Sequence, residues 1–282
     1  MTGGIGGAGL PERSEGSPVS RRLRSGLMAR DYGALYPVAR AVLTPLFKLN
    51  WRVHTEGLDH VPDDGGAIIC PNHVSVLDSF FVPLVLPRRI TYVGKAEYMD
   101  DWKTKFIFPA MGMVPIDRSG GDAAQSALNT AANILDRGEL FGIYPEGTRS
   151  RSGNLHRGHT GAARLALRTG APILPVGLIG TREVQPPDAK LPQPFRPVWV
   201  RIGRPVHPGK DPERMGDHRL LRQITDEVMF EIGALSGQTY VDEYANKKPE
   251  ETDIPRQRGG VITADGPQAN GHAVVAEVAK AG

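Results

Sequence analysis

A histidine and an aspartate five residues apart, in Asn72-His73-Val74-Ser75-Val76-Leu77-Asp78, are the best candidates in this chain for acid–base chemistry. Five steps at 3.6 residues per turn do not bring two side chains onto one face of a regular helix. They meet if His73 lies on a loop and Asp78 in the first turn of the helix that follows. Ser75 suits the N-cap of such a helix, which places Asp78 at N3, a near-match to a capping box. A carboxylate turned back onto the imidazole fixes its tautomer. With no serine or cysteine nucleophile built in, the pair then suits a general base acting on a substrate hydroxyl. The alternative is that Asp78 only caps the helix and His73 is an ordinary loop histidine.

A second polar cluster, Glu146-Gly147-Thr148-Arg149-Ser150, follows the apolar run Phe141-Gly142-Ile143-Tyr144-Pro145, which reads as a buried strand. Gly147 lets a ligand approach the backbone. Arg149 offers a planar fork matched to a phosphate or carboxylate. A plain surface turn with an Arg149–Glu146 ion pair is the alternative. Lys95, after Ile90-Thr91-Tyr92-Val93, and Arg118, ending Val114-Pro115-Ile116-Asp117-Arg118, stand where strands hand over to loops, the usual ligand edge of an open α/β sheet.

Other chemistries find little support. The single cysteine, Cys70, lies inside the apolar run Ala67-Ile68-Ile69-Cys70, where a thiol is packing rather than a nucleophile. His156 and His159 lack a third ligand and read as scattered surface histidines, so no metal site is expected. There is no glycine-rich nucleotide loop. A net charge of +3 and a sequence pI near 9.0 give no nucleic-acid signature.

The elements that must position these residues alternate in kind. Short apolar runs at Ala67–Cys70, Ile90–Val93 and Phe141–Pro145 read as strands, as do Ile173 onward and the alternating Val198, Val200 and Ile202. Helices are predicted from an Asp122 cap to Gly138, from Ala162 to Arg168 before Gly170, and through Leu221, Ile224, Val228, Ile232 and Leu235. The pattern predicts an α/β fold: a single domain over 53–245 with a mixed sheet flanked by helices. An amphipathic interfacial helix at 31–52 precedes it, with Leu35, Val38, Val42, Leu46 and Leu49 on one face. A helix packed on the domain is the other reading of that stretch. Phe106 to Met111 adds apolar residues that suit either an acyl chain or the core.

Residues 1–30 carry five arginines against two glutamates among glycines and serines and read as a disordered basic arm, lacking the apolar core of a signal peptide. Residues 246–282 read as a disordered tail. No run reaches the roughly 18 apolar residues of a spanning helix.

Taken together, these residues resemble the glycerolipid acyltransferase family, and in particular its 1-acylglycerol-3-phosphate acyltransferases. The family's Asn-His-x-Ser-x-x-Asp block is similar to Asn72–Asp78. Its second block resembles Lys95 with Gly112–Arg118, its third matches Tyr144–Ser150, and its fourth resembles Pro172–Val176. The four occur in family order over roughly residues 50–205. One departure is His159, where many members carry a lysine.

The resemblance implies transfer of a fatty acyl group from acyl-CoA or acyl-carrier protein to the hydroxyl of a lysophospholipid, with lysophosphatidate giving phosphatidate. It implies His73 as base oriented by Asp78, and Lys95, Arg118, Glu146, Gly147, Thr148 and Arg149 on the substrate side. No cofactor or metal is implied, nor any nucleic-acid partner. A membrane surface with anionic lipids is the implied partner, and the peripheral, cytoplasmic face of the cell membrane the expected location. A related hydroxyl lipid as acceptor, a catalytically silent lipid-binding protein that keeps the fold, and a hydrolase passing the acyl group to water are the other readings.

Overall fold

Five consecutive buried residues, Ala67–Pro71, form β2, and a strand with no solvated side needs cover on both faces. The computed structural model describes residues 36–95, 112–116, 123–187, 189 and 191–245. In it β2 lies inside a seven-stranded sheet with β1 (Arg52–Glu56), β3 (Ile90–Lys95), β4 (Met113–Ile116), β5 (Leu140–Gly142), β7 (Ile173–Ile179) and β8 (Pro197–Ile202). The spatial order is β1-β8-β7-β2-β5-β3-β4. Every neighbouring pair is parallel except β7 with β8, so the sheet is mixed, as the sequence predicts. Two short strands, β6 (Leu155–His156) and β9 (Tyr240–Val241), pair separately.

Residues alternate between the two faces of β2. Ile68 and Cys70 face a core shared with α3 (Ala123–Asp136), α4 (Gly161–Thr169) and α6 (His218–Ser236). Ala67 and Ile69 face a second core shared with α1 (Tyr36–Asn50), α2 (Asp78–Val85) and α5 (Thr181–Val184). The helix signals behave locally as expected. Asp217 caps α6, its side chain accepting from the N–H groups of Arg219 and Leu220, and Gly170 ends α4 in the left-handed conformation.

Two boundaries differ from the sequence reading. The strand expected over Phe141–Pro145 ends at Gly142. Ile143 still donates to Ile69 O, but the Tyr144 carbonyl turns to accept from Gly147 N, and Pro145 has no N–H for a ladder. The α-helix expected to be capped by Ser75 begins instead at Asp78, with Leu77 at the cap position. The arm at 1–30, the Asp122 cap, Phe106 to Met111 and the tail from 246 lie outside the described residues, as does Leu35.

Helix α1 packs on the domain, the other reading of its sequence, and keeps an exposed apolar face. Tyr36 and Phe47 are buried, and Phe47 packs on Phe81 of α2 with ring centroids 5.1 Å apart. Val38, Val42, Leu46 and Leu49, spaced four, four and three apart, remain exposed. Across the sheet, α6 lies hard against β7 at Gly177, where an added Cβ would meet the Leu235 carbonyl carbon at 2.6 Å and Ser236 N at 2.7 Å. Gly177→Ala is therefore expected to push α6 off β7 and cost about 1–3 kcal/mol by overpacking. A thermal melt at wild-type level would show that α6 is seated more loosely than this contact requires.

Candidate active site

β2 and β5 are parallel neighbours, so their carboxyl ends release two loops at one edge of the sheet, where open α/β sheets bind ligands. The loop after β2 carries Asn72 and His73, and the loop after β5 carries Glu146 to Ser150. Asn72 is buried and acts as a further rung of the sheet. Its Oδ1 accepts from Leu178 N at 2.7 Å and its Nδ2 donates to Leu178 O at 3.0 Å. The same Nδ2 donates to Gln238 Oε1, whose amide in turn donates to Gly153 O.

Asp78 is fully buried, and its Oδ2 gathers three donors: His73 Nδ1 at 2.9 Å, Val74 N at 2.8 Å and Ser75 N at 2.8 Å. An ionised carboxylate can only accept, so Nδ1 carries the proton and Nε2 is left as the acceptor. Ser75 Oγ accepts from Leu77 N at 3.2 Å, and Asp78 N donates to Ser75 O. Only half of a capping box thus forms: Asp78 accepts from Ser75 N, but Ser75 Oγ accepts from Leu77 N rather than from Asp78 N, in a tight turn ahead of α2. His73 is nearly buried, its side chain 15% exposed.

The second loop holds His73 by its backbone. Glu146 Oε2 accepts from His73 N at 3.0 Å, and Ser150 N donates to His73 O at 2.7 Å. The other Glu146 oxygen accepts from His156 N at 2.9 Å. Glu146 is 1% exposed, so its oxygens are spent on positioning. Burial pushes its carboxyl up to about 7; the two N–H bonds pull against that shift and the Asp78 charge adds to it.

Tyr144 was not singled out from the sequence. Its ring stacks on the His73 imidazole, centroids 3.8 Å apart and planes 15° from parallel. Its hydroxyl lies 3.1 Å from Ser79 Oγ. Asp78 and Ser79 at the start of α2 thus hold the imidazole by its edge and, through Tyr144, by its face. The signal that could have found Tyr144 is its place two residues beyond β5, beside the loop that leaves β2.

The remaining candidates divide. Gly147 and Arg149 are exposed and Thr148 half-buried, and Arg149 has no hydrogen bond or ion pair among the described residues. The Arg149–Glu146 pair of the alternative reading does not form. Lys95 ends β3, next to β5 on the same carboxyl edge, with its side chain outside the described residues. Arg118 lies outside them altogether. Cys70 is fully buried, and burial pushes its thiol far above the usual range, which keeps it inert.

Of the two histidines read as surface residues, His159 is exposed, whereas His156 is half-buried and its backbone N–H holds Glu146. The edge of the His159 ring would meet a Cβ at Gly147 at 3.0 Å, and the ring stacks on Tyr244 with centroids 4.6 Å apart. Among the described residues no three His, Cys, Asp or Glu side chains are grouped to hold a metal ion.

Residues 52–179 match the family model described as Acyltransferase, a span that holds both loops and the strands β2, β3 and β5 whose carboxyl ends release them. Over that span the chain is similar to acyltransferases. It is 29% identical over 167 residues to the chloroplastic 1-acyl-sn-glycerol-3-phosphate acyltransferase LPAT1 of Arabidopsis thaliana, covering 59% of this chain and 46% of that one. It is 30% identical over 126 residues to the human 1-acyl-sn-glycerol-3-phosphate acyltransferase alpha, covering 44% of each. The crystal structure of the 1-acyl-sn-glycerophosphate acyltransferase PlsC from Thermotoga maritima superimposes with a TM-score of 0.56 at 26% identity, over 74% of this chain and 83% of that one. The chain spans about half the length of the curated relatives it matches. His159, the departure noted from the sequence resemblance, lies against Gly147.

Glu146 gives the site a pH signature. A carboxyl raised from 4.5 to about 7 holds its proton more tightly in the fold than in the unfolded chain. Its contribution to stability is therefore complete below the unfolded value and is lost as pH rises through the folded one. The melting temperature of the wild type is expected to fall, relative to Glu146→Gln, between about pH 5 and about pH 8. Parallel melting curves for the two proteins across that range would rule this out.

Proposed function

We propose that this protein transfers a fatty acyl group from an acyl thioester to the free hydroxyl of lysophosphatidate, giving phosphatidate. The observation that carries the reading is the His73–Asp78 pair, clamped at the sheet edge beside the exposed Arg149. His73 Nε2 takes the proton of the acceptor hydroxyl. The oxygen attacks the thioester carbonyl, the carbon–sulfur bond breaks, and the imidazolium returns its proton to the leaving thiolate. Asp78 keeps the proton on Nδ1 and balances the positive charge that His73 gains. No acyl-enzyme is needed, since the acceptor supplies the nucleophile, and no cofactor or metal enters the step. Acyl-CoA or acyl-carrier protein serves as donor.

Similarity to 1-acyl-sn-glycerol-3-phosphate acyltransferases supports lysophosphatidate as acceptor. Arg149 supports it chemically, because an exposed guanidinium fork with no hydrogen bond or ion pair among the described residues matches a phosphate. Gly147 and Thr148 would border the same headgroup, with Lys95 and Arg118 completing its charge, while Glu146 would act by holding His73. Acceptor and product are both bilayer lipids, so the protein works at a membrane surface. We place it peripherally, on the cytoplasmic face, with anionic lipids as partners. No helix among the described residues is long and apolar enough to cross a membrane, and the exposed stripe of α1 supports interfacial binding.

Radiolabelled acyl-CoA incubated with lysophosphatidate should yield the diacyl product. Free fatty acid would point to a hydrolase, and neither product to a silent lipid-binding protein. His73→Ala should lower turnover by about a hundredfold or more, and a melting curve run beside it separates that loss from the stability lost when Asp78 gives up one donor. Residual activity above about a tenth of wild type would remove His73 from the role of base. Arg149→Ala should raise KM for lysophosphatidate far more than KM for acyl-CoA, and Arg149→Lys should restore only part of the difference, because a point charge replaces the fork. Equal effects on the two substrates would assign Arg149 to shaping the site.

A further inference from the structure

Phe195, in the loop from Gln185 to Arg196 that joins α5 to β8, combines two features that a soluble surface rarely tolerates. Its side chain is 69% exposed, and its backbone sits at φ 62°, the left-handed region that bulky residues avoid. Strain of this kind persists where the surroundings impose it, and here they do. Phe195 N donates to Asn50 O at the end of α1, Arg52 N donates to Arg196 O, and the Trp51 indole donates to Gln193 O at 2.7 Å. From the other side Gln193 N donates to Val184 O of α5. The loop is braced so that a large aromatic side chain faces outward.

Its neighbours continue the theme. Leu191, in the same loop, is 79% exposed, and Leu49, beside the Asn50 anchor, is 78% exposed. The apolar stripe of α1 thus runs on into the loop through the bonds at Asn50 and Trp51. Lys48, Arg52 and Arg196, all exposed, stand at this junction. Apolar tips beside basic side chains match the chemistry of an anionic bilayer interface, where the aromatic ring reaches acyl chains and the cations meet headgroups.

We propose that this loop is a second lipid-insertion point, Leu191 and Phe195 entering the bilayer beside α1 while Lys48, Arg52 and Arg196 engage anionic headgroups. The proposal rests on the peripheral-membrane reading above and adds to it a named contact outside the N-terminal helix. Two insertion points on separate elements fix an orientation, whereas a lone helix leaves the domain free to roll about its axis.

The test is co-sedimentation of the full chain with phosphatidylcholine vesicles containing or lacking phosphatidylglycerol. Phe195→Glu and Leu191→Glu are expected to weaken binding to the anionic vesicles by about tenfold or more each, the change that follows from losing one buried apolar side chain. Phe230→Glu is the control: Phe230 is 74% exposed on α6, across the sheet from α1, and its variant should bind as wild type does. Phe195→Gly separates membrane contact from folding, because glycine accepts the left-handed backbone; its melting temperature should hold or rise while vesicle affinity falls. Wild-type binding by the Phe195 and Leu191 variants would overturn the proposal and leave the peripheral reading intact. Equal losses in all four variants would also overturn it. Failure of the wild type to bind anionic vesicles would overturn both.

Discussion

His73 is held by two buried carboxylates, and most of the local architecture exists to keep them supplied with donors. Asp78 takes the ring nitrogen and two backbone N–H groups on a single oxygen. Glu146 takes the backbone N–H of His73 itself. A buried carboxylate short of donors is strongly destabilising, so each must be met by several N–H groups at once. That requirement curls the Val74–Leu77 segment into its tight turn and draws the β5 loop across the end of β2. The loops do not merely lie near one another; they share hydrogen bonds that neither can make alone.

The two carboxylates divide the work by environment. Asp78 gathers three donors around one oxygen and faces the imidazole. Glu146 has one backbone donor for each oxygen, and burial raises its carboxyl to about 7. A charge on Glu146 would add to the negative potential near His73, whereas its protonated form keeps the backbone bonds and removes that charge. Tyr144 completes the arrangement. Stacked on the imidazole, it offers a π-face that favours a positively charged ring, and Ser79 steadies its hydroxyl. His73 is thus constrained along its edge, its face and its backbone, the fixed geometry that the proposed proton transfer would require.

Much of this was legible along the chain because it is local. The brief apolar run before His73, the acid five residues on and the glycine after Glu146 each report their own surroundings. The alternation of short strands with 3.6-periodic helices named the mixed α/β sheet. What escaped the reading depends on strand order. Tyr144 meets His73 because β5 pairs with β2, and no spacing within either segment encodes that pairing. His156 and His159 come to the site only because β6 pairs with β9, more than eighty residues away. The boundary error at α2 has a different origin. Asp78 does accept from Ser75 N as a capping-box acid would, yet the same oxygen is also pulled toward the imidazole, and the turn tightens so that Ser75 Oγ meets Leu77 N instead of Asp78 N.

The same sheet that builds the site also decides which side of the protein is free to meet a lipid surface. Its core on one face is closed by α3, α4 and α6, with α6 seated so tightly that only glycine fits at Gly177. Its core on the other face is closed by α1 and α2, and there the covering helix keeps a second apolar stripe outward. Phe47 links the two functions: it packs on Phe81 of α2, the helix whose first residues hold His73 and Tyr144. On the peripheral-membrane proposal, a substrate arriving from a bilayer would need His73 at a fixed height above the interface. A helix bearing on both the exposed apolar stripe and α2 would set that height by direct packing, with no flexible linker between them.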